Sequence, residues 1–150
     1  MNQKCLFSLF AFFTFSLQVQ AADISGTWKT IDDKTGYARA EVKISKLKDG
    51  SYAGKIVKIH AIPNRPAISH CVKCEGKLKN APLLGLSILS GFEHSSEKAN
   101  EYINGTIMDP LSGNIYQSKG QLNARGNVLT LRGYVGTTLL GRTVSWIRID

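Results

Sequence analysis

The 150-residue chain is 43% hydrophobic and 20% charged, the size and composition of one globular domain, which excludes a two-domain enzyme as well as collagenous, coiled-coil and disordered chains. Its formal charge is +8, enough to draw it toward anionic surfaces. A nucleic-acid groove is not indicated, because Lys29, Lys34, Arg39, Lys43, Lys46, Lys48, Lys55 and Lys58 recur at strand-like spacing instead of clustering with aromatics.

Residues 1–21 read as a cleaved export signal. Met1 to Lys4 gives a positive start, Cys5 to Leu17 is an uncharged apolar run, and Val19-Gln20-Ala21 fits the residues before a cut at Ala22 or just after it. The run is too short to span a bilayer, and Cys5 opens it instead of closing it, so a lipoprotein signal is not expected. Residues 22–150 remain as a single domain, with one positive charge less, +7. A periplasmic or secreted protein is expected.

Beyond residue 21 no stretch keeps a helical apolar period over three turns, and period-two alternation takes its place. Strands are predicted at Gly26–Ile31, Ala38–Ser45, Ser51–His60, Leu83–Phe92, Tyr102–Met108, Asn114–Asn123, Val128–Val135 and Arg142–Ile149. The second is the clearest, with Ala38, Ala40, Val42 and Ile44 on one face and Arg39, Glu41, Lys43 and Ser45 on the other. Asp49-Gly50 supplies a tight hairpin turn after it. Asp32-Asp33-Lys34-Thr35-Gly36, Asp109-Pro110-Leu111-Ser112-Gly113 and Arg125-Gly126-Asn127 are further turns, in which Asp32 and Asp33 are expected to be solvated carboxylates. Eight short antiparallel strands joined in sequence can hide one face and lose both edges by closing into an up-and-down β-barrel. A barrel of that size holds either side chains or one small ligand.

The exception is Ala61–Pro82, a 22-residue loop expected to cap one mouth of the barrel or cross its rim. It contains Cys71 and Cys74. In an oxidising compartment such a pair is usually a disulfide. A redox pair at a helix N-terminus, or a zinc site completed by His70 with His60 or His94, stays open.

At the C-terminal end, Gly136-Thr137-Thr138-Leu139-Leu140-Gly141-Arg142-Thr143 is one residue from a phosphate-binding loop, with Arg142 in place of the lysine. A phosphate loop must open a helix, and the seven residues that follow alternate as a strand, so the segment reads as a hairpin. Arg132 and Tyr134 share one face of their strand, and Arg142, Val144, Trp146 and Arg148 share one face of the next. If both faces point inward they would suit an amphipathic ligand with an anionic head. If Leu129, Leu131, Val135, Ile147 and Ile149 point inward instead, they fill the core. Trp28, Tyr134 and Trp146 are the large aromatics placed to line or plug the interior. No catalytic triad, metalloprotease helix or nucleophile elbow is present in the sequence.

The blocks Gly26-Thr27-Trp28-Lys29-Thr30, Gly54-Lys55-Ile56-Val57, Cys71 to Gly76, Pro82-Leu83-Leu84-Gly85-Leu86, Asp109-Pro110 to Tyr116, and Arg132-Gly133-Tyr134 through Leu139-Leu140-Gly141-Arg142-Thr143 to Trp146 resemble the bacterial secreted family catalogued as domain of unknown function 2147. The Gly26-Thr27-Trp28 start is similar to the G-x-W opening of lipocalins. The resemblance implies a small exported lipocalin-like barrel in which Trp28 packs at the closed end against a basic residue of the last strand, Arg148 or Arg142. It implies no activity. The methyltransferase label of some members finds no support, since the chain lacks a strand, Gly-rich turn and helix unit.

The combined expectation is a non-enzymatic barrel binding a small apolar or amphipathic, lipid-like molecule, with Trp28, Arg132, Tyr134, Arg142, Trp146 and Arg148 as ligand contacts. No cofactor is called for. The alternative is an envelope factor with a side-chain-filled barrel, whose basic surface and Cys71–Cys74 loop meet a protein partner or an anionic envelope surface.

Overall fold

The computed structural model describes residues 23–150, so the expected leader lies outside the described residues. Ten strands follow in chain order: β1 (Gly26–Ile31), β2 (Ala38–Lys46), β3 (Tyr52–Ile59), β4 (His70–Cys71), β5 (Ala81–Pro82), β6 (Ser87–His94), β7 (Glu101–Met108), β8 (Ile115–Leu122), β9 (Val128–Tyr134) and β10 (Gly141–Arg148). Eight of them close a barrel in the order β1-β2-β3-β6-β7-β8-β9-β10, and β10 returns to pair with β1. β4 and β5 form a small separate hairpin inside the loop between β3 and β6. The fold is the all-β, eight-stranded antiparallel, lipocalin-like barrel with one long Cys-containing loop.

Alternation decides which side chains point inward. On β2, Ala40, Val42 and Ile44 are buried while Lys43 is exposed. Lys55, Lys58, Glu93, Gln117, Gln121 and Ser145 also stand exposed on the outer surface. A barrel that crosses a membrane carries the reverse, an apolar band outside, so this one is built to face water. The β2–β3 turn is tied by Asp49, whose Oδ1 accepts from the Ser51 N–H at 2.9 Å and from its hydroxyl at 2.7 Å.

One expected strand is shorter than its apolar residues promised. Leu83-Leu84-Gly85-Leu86 has strand-like composition, yet Gly85 sits at φ 86° and the Leu86 N–H donates to the Leu83 carbonyl. The segment turns there, burying Leu83 and Leu86 as anchors, and β6 begins at Ser87. The end of the loop is thus pinned onto the barrel wall, where the Gly85 N–H donates to the Ile56 carbonyl.

The lower end, bounded by the β2–β3, β6–β7 and β8–β9 turns, is solid. Trp28 is fully buried, and its indole N–H donates to the Ile24 carbonyl at 2.9 Å. The Arg148 guanidinium lies 4.4 Å over the indole and donates to the carbonyls of Gly126 (2.7 Å), Ser25 (2.5 Å) and Asp23 (2.6 Å). Every arm of the fork therefore has an acceptor while its flat face covers a ring. Gly26 makes room: it sits at φ 138°, and a Cβ there would lie 2.5 Å from Arg148 Nη1. Phe92, Tyr52 and Tyr102 fill the remaining width, the two tyrosines edge to face at 5.4 Å. Burial, reinforced by the charge of Asp23, pushes the Tyr52 phenol up to about 12. Gly105 has to lack a side chain, because a Cβ there would lie 2.2 Å from the Phe92 ring.

Candidate functional site

Above Trp146 the interior opens into a cavity of about 990 Å³. Its walls come from the upper ends of the strands: Ala40 on β2, Ile56 and Ile59 on β3, Ile88 on β6, Ile107 and Met108 on β7, Tyr116 on β8 and Val144 on β10. Small residues leave the space. Ala40 and Gly133 stand where larger side chains would meet across the barrel, and a Cβ on Gly133 would already touch Ile107 and Tyr116 at 3.4 Å.

The mouth is polar and organised by ion pairs. Asp32 accepts from the Arg39 Nε–H at 2.5 Å and from the Thr35 N–H and hydroxyl, both at 2.8 Å. It is buried, not solvated as its turn position implied. Burial raises its pKa, but the hydrogen bonds from Thr35 and Arg39 and the Arg39 charge outweigh this and hold the carboxyl well below the usual range. Asp33 forms a bidentate pair with Arg142, and that hydrogen bonding raises the arginine further above its ordinary value. His60 Nε2 lies 2.9 Å from Glu41 Oε1, which also faces Lys58 Nζ at 3.4 Å. Lys34, Arg65 and Lys73 line the same mouth without an ion-pair partner among the described residues.

The loop between β3 and β6 roofs this mouth through Ile62, Arg65 to Ile68, and Lys73. Within it Cys71 and Cys74 form a disulfide, which leaves neither thiolate for zinc, and His94 lies at the opposite end of the barrel, on the last residue of β6. Both cysteines are buried. Cys71 Sγ lies 3.3 Å from the Pro110 carbonyl oxygen, and Cys74 Sγ lies 3.8 Å from Met108 Sδ on the cavity wall. The β7–β8 turn accepts this loop at Gly113, which sits at φ 77° and where a Cβ would lie 2.3 Å from the Lys73 carbonyl oxygen. Among the described residues no three His, Cys, Asp or Glu side chains converge as a metal site.

The chain matches, over residues 26–148, the family described as "Uncharacterized protein conserved in bacteria (DUF2147)". It belongs to this family. No curated protein is similar to it in sequence at a significant level. Among solved structures, the DUF2147 barrel is similar to one described as "Protein HP1028 from the human pathogen Helicobacter pylori belongs to the lipocalin family". The TM-score is 0.70 at 17% identity, over 86% of this chain and 84% of that one. The likeness is one of fold.

In the DUF2147 barrel the six expected ligand contacts separate into two groups. Tyr134, Arg142 and Trp146 line the cavity; Trp28, Arg148 and Arg132 do not. Trp28 and Arg148 lie beneath it, in the solid end. Arg132 is outside the barrel, where it donates to the carbonyls of Thr138 and Leu139 and to the Thr143 hydroxyl, bracing the β9–β10 hairpin. The register explains this placement. Leu131 is opposite Val144 and Arg132 is opposite Thr143, and cross-strand partners share a face, so β10 turns its arginine face inward while β9 turns Leu129, Leu131 and Gly133 inward. Val135, Ile147 and Ile149, the alternative core residues, are exposed. The near phosphate loop is the turn of this hairpin. Arg39, Arg65 and Lys73 had no signal of their own in the sequence beyond their nearness to a long loop or a turn, and His60 was weighed there only as a zinc ligand.

Proposed function

We propose that the barrel binds one small amphipathic molecule, its apolar body in the upper cavity and an anionic head at the mouth. The observation that carries this reading is an apolar hollow of about 990 Å³ beneath unpaired cations, at the upper end of the size range of small-molecule sites. Ile56, Ile59, Ile88, Ile107 and Val144 would cover the tail, over a floor formed by Trp146. Lys34, Arg65 and Lys73 would meet a carboxylate or phosphate, more readily than Arg142, whose fork is held by Asp33. A fatty acid or lipid fragment has this chemistry. The role proposed is binding rather than catalysis; Asp32, Arg39, Asp33 and Arg142 at the mouth are held in ion pairs with one another.

Native mass spectrometry of protein from its own host should find a retained ligand, and delipidated protein should bind a fluorescent fatty acid saturably at micromolar concentration. Val144→Trp, which projects an indole from the wall into the hollow, should weaken that binding, and Arg132→Ala should leave it unchanged. No saturable binding to wild type, or undiminished binding to Val144→Trp, would overturn the proposal. We propose further that the protein is periplasmic or secreted, on the export-signal pattern of residues 1–21; a mature N-terminus at Ala22 or Asp23, read by mass, tests that assignment.

A further inference from the structure

Every large apolar side chain of the described residues that is 60% exposed or more lies at the open end of the barrel: Val72, Leu84, Ile115, Val135, Leu139 and Leu140. They come from three separate connections, the loop between β3 and β6, the β7–β8 turn running into β8, and the β9–β10 hairpin, so the mouth is ringed by them rather than flanked on one side. The opposite end has no counterpart, and its most exposed large apolar residue, Leu47, is 47% exposed. Single exposed leucines need no explanation, but their confinement to one end does.

The same end also carries unpaired cations; Lys46, Lys48 and Arg125 at the lower end are exposed and unpaired too, but no comparably exposed apolar tips stand beside them. Lys34 on the β1–β2 turn and Arg65, Lys73, Lys77 and Lys79 on the loop between β3 and β6 are exposed and form no ion pair among the described residues. The acids of this end that form no ion pair are Glu75 and Asp109; the Asp109 carboxylate is held by the Leu111 N–H and the Ser112 hydroxyl and its charge is felt by Arg142. Apolar tips interleaved with flexible cations match the interface of a bilayer, where aliphatic groups enter the acyl boundary and ammonium groups stay among anionic headgroups. Four of the five cations are lysines, a residue depleted from protein–protein interfaces, which argues for lipid over a protein partner.

We propose that the open rim is a docking surface for an anionic bilayer. Docking sets the mouth against the lipid while the solid end stays in water. The inference stands apart from the ligand reading, because a barrel with an empty cavity would dock equally well, and Val144→Trp should dock like wild type.

The test is sedimentation of the protein, purified from its own host with its N-terminus checked by mass, with vesicles of phosphatidylethanolamine and phosphatidylglycerol, against vesicles of phosphatidylcholine. Wild type should partition onto the anionic vesicles and be released by salt. Leu139→Ser with Leu140→Ser should weaken partitioning at least about tenfold, and Lys73→Gln with Lys77→Gln and Lys79→Gln by a similar factor. These surface changes should leave the thermal midpoint unchanged, which separates loss of docking from loss of fold. As a positive reading, Leu139→Trp should be quenched by brominated lipid. Equal binding to neutral vesicles, no binding to anionic ones, or rim variants that bind like wild type would each overturn the proposal. Concentration-dependent dimerisation abolished by the same variants, without vesicle binding, would assign the rim to a second copy of the chain. Recovery of one defined cross-linked protein without vesicle binding would assign it to a protein partner.

Discussion

Below Trp146, large residues from almost every strand and the N-terminal segment meet on the barrel axis: Ile24, Trp28, Val42, Phe92, Tyr102, Leu122 and Leu129. Above it the inward positions are taken by Ala40, Ile59, Gly133 and Val144, which do not reach each other. The strands and the period-two pattern are the same in both halves. What differs is side-chain volume and the way each end is closed, by a stacked arginine at one end and by ion pairs and a loop stiffened by a local disulfide at the other. Stability is therefore expected to concentrate in the lower half, leaving the upper half free to keep a space.

The sharpest way to break this comparison is Trp28→Ala, which should destabilise the protein by about 3–5 kcal/mol; an unchanged urea midpoint would show that the solid end is not what holds the barrel. Next, Leu129→Ala should cost about 3 kcal/mol, whereas Ile59→Ala, whose side chain faces a hollow, should cost about 1 kcal/mol. Equal losses would mean the cavity is closed in solution.

At the mouth, Asp32→Asn leaves Arg39 without its partner and should cost about 1–3 kcal/mol near neutral pH. Because the folded-state pKa of Asp32 is depressed, its contribution is complete above the ordinary value of 3.8 and is lost as pH falls below it toward the lowered one. The gap between wild type and Asp32→Asn in urea should accordingly shrink between about pH 5 and about pH 2, and a gap that widened on acidification would reverse the sign of the argument. Replacing both Cys71 and Cys74 by serine opens a four-residue ring and should cost no more than about 2 kcal/mol. Its larger effect should be faster loss of a bound fluorescent fatty acid, read by stopped flow, once the roof is no longer held against Met108 and Pro110.

The barrel was legible in the sequence because alternation and turn chemistry agree along most of its length; β1 falls on its predicted residues, and β2 and β9 lie within one residue of theirs. The Leu83–Leu86 segment was misleading for a physical reason: an apolar run looks the same whether it is a strand or a turn that buries two anchors. The site was less legible. Period two gives each strand two faces without saying which is inside, and the arginines of β9 and β10 lie on opposite sides of the sheet because of a hairpin register that composition does not set. The cationic mouth was harder still, since Arg65 and Lys73 reach it only through the path of a long loop.

Trp28 and Arg148 are partners across the β1–β10 seam, 120 residues apart along the chain. The first strand to be made has the last one as its neighbour. A chain emerging N-terminus first, from a ribosome or through a pore, can form the successive hairpins from β2 onward, but it cannot close until β10 arrives and Arg148 covers the indole. Until then β1 lacks one neighbour and β10 is missing, so the barrel has two open edges and no completed lower core. Closure is a long-range step of the kind that folds slowly, and it gives the chain an interval in which it is still threadable and still able to aggregate. A chain ending before Gly141 should remain in that interval indefinitely.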